Sequence, residues 1–404
     1  MQPYCVYLHL DLNKPSFHSL LTITKMSQKS EHKYYIDWIR VLAFFLLIFF
    51  HCAMPFVTFN WEVKNTETSV ELTRLIYWLH QWRLPLLFFV SGVGIHYSLN
   101  SRSVVAFAAE RVIRLFIPLL FAMFFMIPAQ VYIERLQRGQ FTGPYLQFYP
   151  TVWELVPYPE GTLTWSHLWF VVYLFVFCLL LLPIFAIFKI KAVKIFKEKI
   201  ANSLTHPLVV FALFIPFAIY YFTLYLAYPE QQSLLDDWFL FVFSITLVVY
   251  GYLFGGSESF WKTCEQFRFY YLITALVCIF ILFYAYWWQM DLPKTNDNRL
   301  YWYSLLNSIH IWAIILTALG FAKKHFNFSN TFLSYTNKAV YPYYILHQTV
   351  IVVSGYFVVQ WSLPISIKLT ILILVCFAAI SVVYHWLIRP FVITRILFGL
   401  KAKK

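Results

Sequence analysis

Charged residues are scarce in this 404-residue sequence. Asp, Glu, Lys and Arg together make up 12% of it, while hydrophobic residues make up 61%. A soluble domain contains about 25% charged residues and about 45–50% apolar residues. The scarcity of charge therefore excludes an ordinary soluble globular protein, and we predict that most of the chain lies in a membrane.

The charge that is present gives a net value of +13, which in other proteins can indicate nucleic-acid binding. Here the basic residues concentrate in alternate short loops between apolar segments. That distribution is typical of the cytoplasmic loops of membrane proteins. We therefore predict that the chain contacts membrane lipids and binds no nucleic acid.

Common catalytic motifs are also missing. The sequence has no Walker A motif, no GxSxG, no HExxH, no CxxC and no GxGxxG, so ATP hydrolysis, hydride transfer and zinc chemistry have no visible basis. Its six cysteines form no metal-ligand pair and are interpreted as small hydrophobic core residues. We predict no metal site.

Long apolar stretches, in contrast, are abundant. A transmembrane helix needs about 20 residues, and candidates lie at 38–58, 74–97, 112–133, 167–188, 207–228, 237–256, 268–289, 300–322, 340–361 and 365–388. The predicted fold is all-α, a polytopic membrane helix bundle of about ten transmembrane helices. The positions of the basic loops place both termini in the cytoplasm and the protein in the cell inner (plasma) membrane.

Three regions are predicted along the chain: a cytoplasmic N-terminal tail at 1–33, a transmembrane domain at 34–390 and a basic cytoplasmic tail at 391–404. Residues 1–25 lack the apolar core and cleavage site of a signal peptide. We interpret them as a disordered tail or as an overextended gene start before Met26. Since no soluble domain is recognised, any catalysis is expected within the membrane domain.

The first span carries a polar stripe. Asp37, Arg40 and His51 lie on one helix face, because one turn separates the first two and about three turns separate Arg40 from His51. Ionisable residues inside a membrane are expensive and often functional. We interpret His51 as a catalytic base, with a packed structural histidine as the alternative.

The second span places Arg83 about 14 Å below its outer end, at the depth predicted for His51. A cation beside a base can stabilise developing negative charge. The alternative is a snorkelling arginine, although Arg83 is too deep for easy snorkelling.

A basic cluster is predicted at the cytoplasmic surface. Arg111 and Arg114 are one turn apart at the start of the third span, and Arg40 would join them. Arginine side chains bind phosphate oxygens well. Ordinary anchoring by positively charged cytoplasmic residues would explain the same pattern.

Two further groups are candidates for substrate binding. His167 and Trp169 open the fourth span, and Tyr344 and His347 lie one turn apart in the ninth. Interfacial aromatic anchoring explains the first pair equally well, and hydrogen bonding between helices explains the second. The outer loop at 134–166 is rich in aromatic residues that can stack on sugar rings.

These motifs, in this order, resemble the membrane acyltransferase-3 family. The family's markers are matched by Arg40 and His51, which are separated by ten residues, and by the R-x-x-R of Arg111 and Arg114. The resemblance extends from Tyr34 to about Leu387. Its glucan-modifying branch is most similar in the segments Tyr35–Arg40, Glu110–Arg114, Ser166–Phe170 and Tyr344–His347.

The resemblance implies a ten-span enzyme that moves an acyl group from cytoplasmic acyl-CoA to a hydroxyl of an extracytoplasmic glycan or similar acceptor. In this hypothesis Arg40, Arg111 and Arg114 bind the coenzyme A phosphates, and Asp37 pairs with Arg40. His51 takes the acceptor proton, directly or through a covalent acyl relay.

Arg83 then stabilises the oxyanion, while His167 and Trp169 position the acceptor. The alternative function is a non-enzymatic transporter or flippase of a glycan or lipid intermediate, because buried His and Arg residues also mark substrate paths in carriers. A structural or sensory membrane subunit is a third interpretation, and it predicts that substitution of His51 is tolerated.

Overall fold

A computed structural model describes residues 32–203 and 205–402 of the chain. The tail predicted at 1–33, with the two interpretations of residues 1–25, lies outside these residues except for His32 and Lys33. The tail predicted at 391–404 is described as far as residue 402.

The described residues form helices and no strand, as the sequence predicts; Pro157 and Leu163 form an isolated bridge. Helices dominate because a segment in lipid must pair its own backbone donors and acceptors. The α-helices are α1 (Tyr34–Ala53), α2 (Val70–Asn100), α3 (Val104–Arg111), α4 (Ile117–Phe125), α5 (Ile127–Gln137), α6 (Tyr145–Phe148), α7 (Trp169–Leu180), α8 (Leu182–Ile187), α9 (Lys191–Ser203), α10 (Pro207–Ala212), α11 (Ile215–Leu224), α12 (Trp238–Phe254), α13 (Glu258–Gln266), α14 (Arg268–Leu282), α15 (Asn298–His325), α16 (Thr331–Val358), α17 (Ile365–Val383) and α18 (Val392–Leu397).

The predicted count of ten spans is not confirmed. Within the described part of the chain, six helices are long and apolar enough to cross a membrane, or seven if α12 and α13, which meet at a bend of 107°, form one span. The helices α2 and α16 are long enough but are less apolar. Their hydropathy is lowered by polar residues, among them His80 and Arg83 in α2 and His347 and Gln348 in α16.

The third predicted span is not a regular α-helix. A π-helical segment at Val112–Phe116 joins α3 to α4, and α4 and α5 each carry a proline in their first turn. Proline has no amide donor and fits the first turn of a helix, so it marks a restart after each irregularity. Arg114 lies within the π-helical segment.

The helix packing brings α1, α2 and α16 together. α1 packs against both other helices, and α2 packs closely along α12. At that crossing, a Cβ atom added at Gly92 or Gly251 would collide with the backbone carbonyl of Val248 or Phe89. Small residues therefore permit the close approach that fixes the position of α2.

The chain after α17 turns back onto the bundle. α18 packs against α4, and the Phe398 ring lies 5.4 Å from that of Phe121. Gly399 adopts a positive φ of 70° and its carbonyl accepts a hydrogen bond from Arg114 Nε at 3.1 Å. Residues 392–400 of the predicted tail are thus folded against the membrane domain.

Candidate active site

Three histidines meet where α1, α16 and the start of α7 come together. His51 Nδ1 lies 2.7 Å from His347 Nε2, and these two rings are nearly parallel, with centroids 4.9 Å apart. The His167 ring stands edge-on to His347 with centroids 5.1 Å apart. Helix packing therefore assembles residues from three predicted spans into one cluster.

The hydrogen bonds of this cluster fix the positions of its protons. His347 Nδ1 lies 2.6 Å from the Tyr344 carbonyl oxygen, which can only accept a hydrogen bond. In the neutral ring, Nε2 of His347 is therefore the acceptor, and His51 Nδ1 donates to it. His51 is left with a basic lone pair on Nε2, and this nitrogen has no hydrogen-bond partner among residues 32–203 and 205–402.

His167 is held from two sides. Its Nε2 donates to the Ile345 carbonyl at 3.3 Å, and its own carbonyl accepts a hydrogen bond from the Tyr344 hydroxyl at 2.5 Å. The preceding Ser166 has a positive φ of 42°, an unusual conformation for a residue other than glycine. His167 Nδ1 is buried and has no partner within the described chain.

A cavity of about 1230 Å³ extends from His51 to the loops at 57–69, 157–166 and 230–235. Five of the predicted site residues line it: His51, Arg83, His167, Trp169 and Tyr344. His347 does not line the cavity, because it is fully buried behind His51. In the structure His347 contacts and positions His51. The sequence, in contrast, predicts that His347 binds the substrate.

Arg83 is the least exposed ionisable residue among those described on the cavity wall. It is 1% exposed, and its guanidinium lies 3.8 Å from the centroid of the Phe50 ring. Its Nε and Nη1 atoms are buried and have no hydrogen-bond partner among the described residues. Because unpaired buried donors are costly, this guanidinium is suited to receive an anionic oxygen from a ligand in the cavity.

Sequence reasoning missed Glu62 and Gln348. Gln348 Nε2 donates to Glu62 Oε1 at 2.7 Å and to Ser166 Oγ at 3.2 Å. Glu62 lines the cavity, and burial raises the pKa of its carboxyl to about 7. The available signal was a glutamate shortly after His51, at the end of the first span. A carboxylate in a loop usually faces water, so this signal does not single out Glu62.

His80 and Glu230 form a second missed feature of the wall. His80 Nε2 lies 3.0 Å from Glu230 Oε2, and both residues line the cavity. Burial acts to raise the pKa of the Glu230 carboxyl, but the neighbouring His80 lowers it below its ordinary value overall. The sequence shows both residues, but only the fold pairs them.

The predicted basic cluster lies away from this cavity. Arg40 Nη1 contacts Asp37 Oδ1 at 3.3 Å and Asn337 Oδ1 at 3.2 Å. Glu110 connects Arg111 at 3.5 Å and Arg114 at 3.4 Å. Arg40 lies within electrostatic range of both of those arginines, but none of the three lines the cavity.

Metal ligation is not visible in the part of the chain that the structure describes. It contains no group of three or more His, Cys, Asp or Glu side chains placed to hold a metal ion. In the histidine cluster, the nitrogens of His347 are already engaged by His51 and Tyr344.

Comparison with known proteins identifies the family of this chain. Residues 33–389 match the acyltransferase domain family. The chain therefore belongs to this family, which confirms the resemblance to the acyltransferase-3 family inferred from its motifs. With six or seven candidate membrane spans among the described residues, it is a multi-pass membrane protein of that family.

Curated relatives indicate the branch. The chain is 26% identical over 237 residues to glucans biosynthesis protein C of Shigella dysenteriae serotype 1 (strain Sd197), which covers 57% of this chain and 59% of that protein. It is 25% identical over the same length to the proteins of that name from Escherichia coli K12 and O6:K15:H31. The chain thus spans about three fifths of the length of these relatives. No solved structure shows a significant match.

Proposed function

We propose that this protein transfers an acyl group from acyl-CoA to a hydroxyl of an extracytoplasmic glycan or a similar acceptor, with His51 as the base. The observation that carries the proposal is the state of His51. Its Nδ1 is committed to His347, so its Nε2 holds a lone pair on the wall of a large cavity. A base with a fixed orientation is what abstraction of a hydroxyl proton requires.

The proposed reaction needs two groups of the cavity wall. His51 Nε2 takes the proton of the acceptor hydroxyl, whose oxygen forms a bond to the thioester carbonyl carbon. Arg83, with its unpaired donors, stabilises the negative oxygen of the tetrahedral intermediate. When the carbon–sulfur bond breaks, His51 returns the proton to the leaving thiolate, so that the enzyme ends in its initial state.

The donor is proposed to bind at the arginine end. Arg111 Nε is buried and has no partner among the described residues, which fits an anionic ligand such as a coenzyme A phosphate. Arg40 and Arg114 are partly satisfied by Asp37, Glu110 and the Gly399 carbonyl. Their role in phosphate binding therefore requires that ligand contacts replace some contacts within the protein.

The acceptor is proposed to enter at the loop end. His167 and Trp169 line the cavity there, together with aromatic residues of the loops such as Trp61 and Trp165. Aromatic faces beside polar groups suit sugar rings. The relatives named glucans biosynthesis protein C support a glucan as the acceptor.

The test uses purified protein in lipid nanodiscs, acyl-CoA labelled in the acyl group, and a glucan oligosaccharide. We expect the wild type to label the glucan and His51→Ala to reduce the rate by about 10²- to 10⁴-fold, the range for loss of a general base. His385→Ala is the matched control, because His385 is exposed and lies outside the cavity.

Full activity of the purified His51→Ala protein would contradict the assignment of the base. The transporter alternative predicts a different result, in which the wild type binds the glycan while all label stays on coenzyme A. The assay therefore separates the two functions.

A further inference from the structure

Three glutamates line the cavity, and their surroundings differ. Glu134 pairs with Arg138 at 2.7 Å and accepts a hydrogen bond from the Tyr158 hydroxyl at 2.9 Å. Glu230 pairs with His80 at 3.0 Å. Glu62, in contrast, forms no ion pair with any residue that the structure describes.

The absence of an ion pair at Glu62 is not due to a lack of nearby lysine. Lys64 follows two positions later, but its ammonium group donates to the backbone carbonyls of Met54, Val57 and Phe59. Its positive charge is therefore used to close the loop over the end of α1. The side-chain donor to the cavity-lining carboxylate is neutral, namely Gln348 Nε2 at 2.7 Å.

The loop that carries Glu62 is fixed in place. Asn65 N donates to the Pro55 carbonyl at 2.9 Å, and Ser69 N donates to the Phe56 carbonyl at 2.8 Å. Lys64 exchanges two hydrogen bonds with the Gln137 side chain, and buried Lys368 donates to Asn65 Oδ1 at 2.8 Å. Glu62 is thus positioned by the folded chain and does not sample the loop surface freely.

One oxygen of this carboxylate remains unpaired. Glu62 Oε1 accepts the hydrogen bond from Gln348, whereas Oε2 is buried and has no partner among the described residues. A buried acceptor without a partner is costly and needs an explanation. Since Glu62 lines the same cavity as His51, a ligand in that cavity can supply the missing donor.

We infer that Glu62 binds the acceptor, a neutral, hydroxyl-rich molecule, by accepting a hydrogen bond from one of its hydroxyls at Oε2. The negative charge of Glu62 repels acceptors that carry carboxylates. This inference rests on the proposed function, and it adds a residue that selects the acceptor. Gln348 connects the two parts of the site, because it follows His347, which holds His51, and itself holds Glu62.

Titration of Glu62 gives this role a pH dependence. Burial raises the pKa of its carboxyl to about 7, and the charge of Glu134 acts in the same direction, while the backbone N–H of Glu62, Gln348 and Arg138 oppose it. Above pH 7 the carboxylate accepts a hydrogen bond from the acceptor; below pH 7 the protonated group loses that capacity on one oxygen. Affinity for a neutral acceptor is therefore expected to rise from pH 6 to pH 8.

The experiment compares Glu62→Gln with Glu67→Gln, an exposed glutamate of the same loop. The probes are a neutral glucan oligosaccharide and its carboxymethylated form. We expect Glu62→Gln to raise KM for the neutral glucan about tenfold, as for loss of a hydrogen bond to a charged group, to leave KM for acyl-CoA unchanged, and to reduce discrimination against the carboxymethylated probe.

Glu67→Gln is expected to behave as the wild type, and only the Glu62 variant should lose the change in KM between pH 6 and pH 8. Unchanged KM values for both glucans in a folded Glu62→Gln protein would overturn the inference. If the wild type transfers no acyl group, the proposed function fails, and calorimetric binding of the neutral glucan to both proteins still tests Glu62: equal affinities overturn its role, and weaker binding by Glu62→Gln supports it.

Discussion

The two polar regions of this membrane domain differ in how fully their charges are satisfied. At the arginine end, Arg40 and Arg114 have partners within the protein, namely Asp37, Asn337, Glu110 and the Gly399 carbonyl. At the cavity end, Arg83 has two unpaired nitrogens, and His51 Nε2 and Glu62 Oε2 also have no partner among the residues described.

This difference distinguishes the region that stabilises the fold from the region expected to bind substrates. A polar group in an apolar environment is costly unless it is paired, so a cluster of unpaired groups reduces stability and is expected where a ligand completes the pairing. The cavity end has this property, and chemistry is expected there. The arginine end contributes to stability and to attachment of the C-terminal segment, with Arg111 Nε as the unpaired atom on which a donor phosphate can act.

The strongest test of the comparison is Arg83→Met, which removes the charge and keeps an unbranched apolar side chain. Activity is expected to fall about 10²- to 10³-fold, as for loss of an oxyanion donor. Stability without ligand is expected to rise by about 1–3 kcal/mol, because the unpaired buried donors disappear. Steady-state rates and thermal unfolding in detergent measure both effects.

The control for that variant is Arg74→Met, since Arg74 is on the same helix but donates to the Trp288 carbonyl at 3.0 Å through Nε. It is expected to keep near wild-type activity. If Arg83→Met loses stability together with activity, Arg83 supports the fold, and its assignment to the oxyanion is wrong.

The next largest effect concerns His347, which positions His51. His347→Phe removes the acceptor for His51 Nδ1–H and is expected to lower kcat by about 10- to 100-fold, the cost of misplacing a catalytic group. His347→Gln places an oxygen acceptor at similar reach and is expected to recover part of that loss. The measurement is kcat at saturating donor and acceptor for the two folded variants.

Equal losses in the Phe and Gln variants would mean that the hydrogen bond to His51 does not orient the base. A loss confined to KM for the acceptor would instead support the role of substrate ligand that the sequence predicts for His347. The wild-type-like control is Thr370→Ala, on the exposed surface of α17, where the hydroxyl donates to the Ser366 carbonyl.

The sequence predicts the helical fold, because hydrophobic length is a local signal, and a charged stripe in one span is the local signal from which His51 is proposed as the base. The predicted count of ten spans is not confirmed, because polar residues, including residues of the site, lower the hydropathy of α2 and α16. Substrate binding by His347 stays a prediction, and its contact with His51 is not predicted, because spacing within one helix does not show which neighbour a side chain meets.

Glu62 could not be predicted, because its position depends on contacts between distant parts of the chain. The loop is closed by Lys64 and Lys368, and the carboxylate is held by Gln348, 286 positions away in sequence. Similarly, attachment of Gly399 to Arg114 joins residues 285 positions apart. A single sequence carries no local signal of such pairings.

A smaller effect is expected at the arginine end. Arg111→Ala is expected to raise KM for acyl-CoA about tenfold, as for loss of one charge-assisted hydrogen bond, with little change in kcat. Arg114→Ala is expected to change KM less, because its Nε and Nη1 already contact Gly399 and Glu110. Donor titrations with acyl-CoA and with a dephosphorylated analogue measure the difference.

The analogue acts as the internal control, since loss of its phosphate should weaken binding to the wild type and have little effect on Arg111→Ala. Identical donor affinity in Arg111→Ala and wild type would remove the arginine end from donor binding. Equal effects of the two substitutions would show that the pairing of Arg114 within the protein does not limit its availability.

The smallest expected effect is a change in stability at Glu62. Burial raises the pKa of its carboxyl from an ordinary 4.5 to about 7 in the folded protein, so the folded state holds the proton more tightly than the unfolded state. Stability from this group is therefore present below about pH 4.5 and is lost as the pH rises through 7. Glu62→Gln, which stays neutral, should raise Tm relative to the wild type more at pH 8 than at pH 5, by a few degrees.

Glu67→Gln is the control and should show no such pH dependence. A constant difference in Tm between Glu62→Gln and the wild type across this range would mean that Glu62 titrates in the folded protein as it does in water. That result would remove the contrast between this carboxylate and the paired charges of the arginine end.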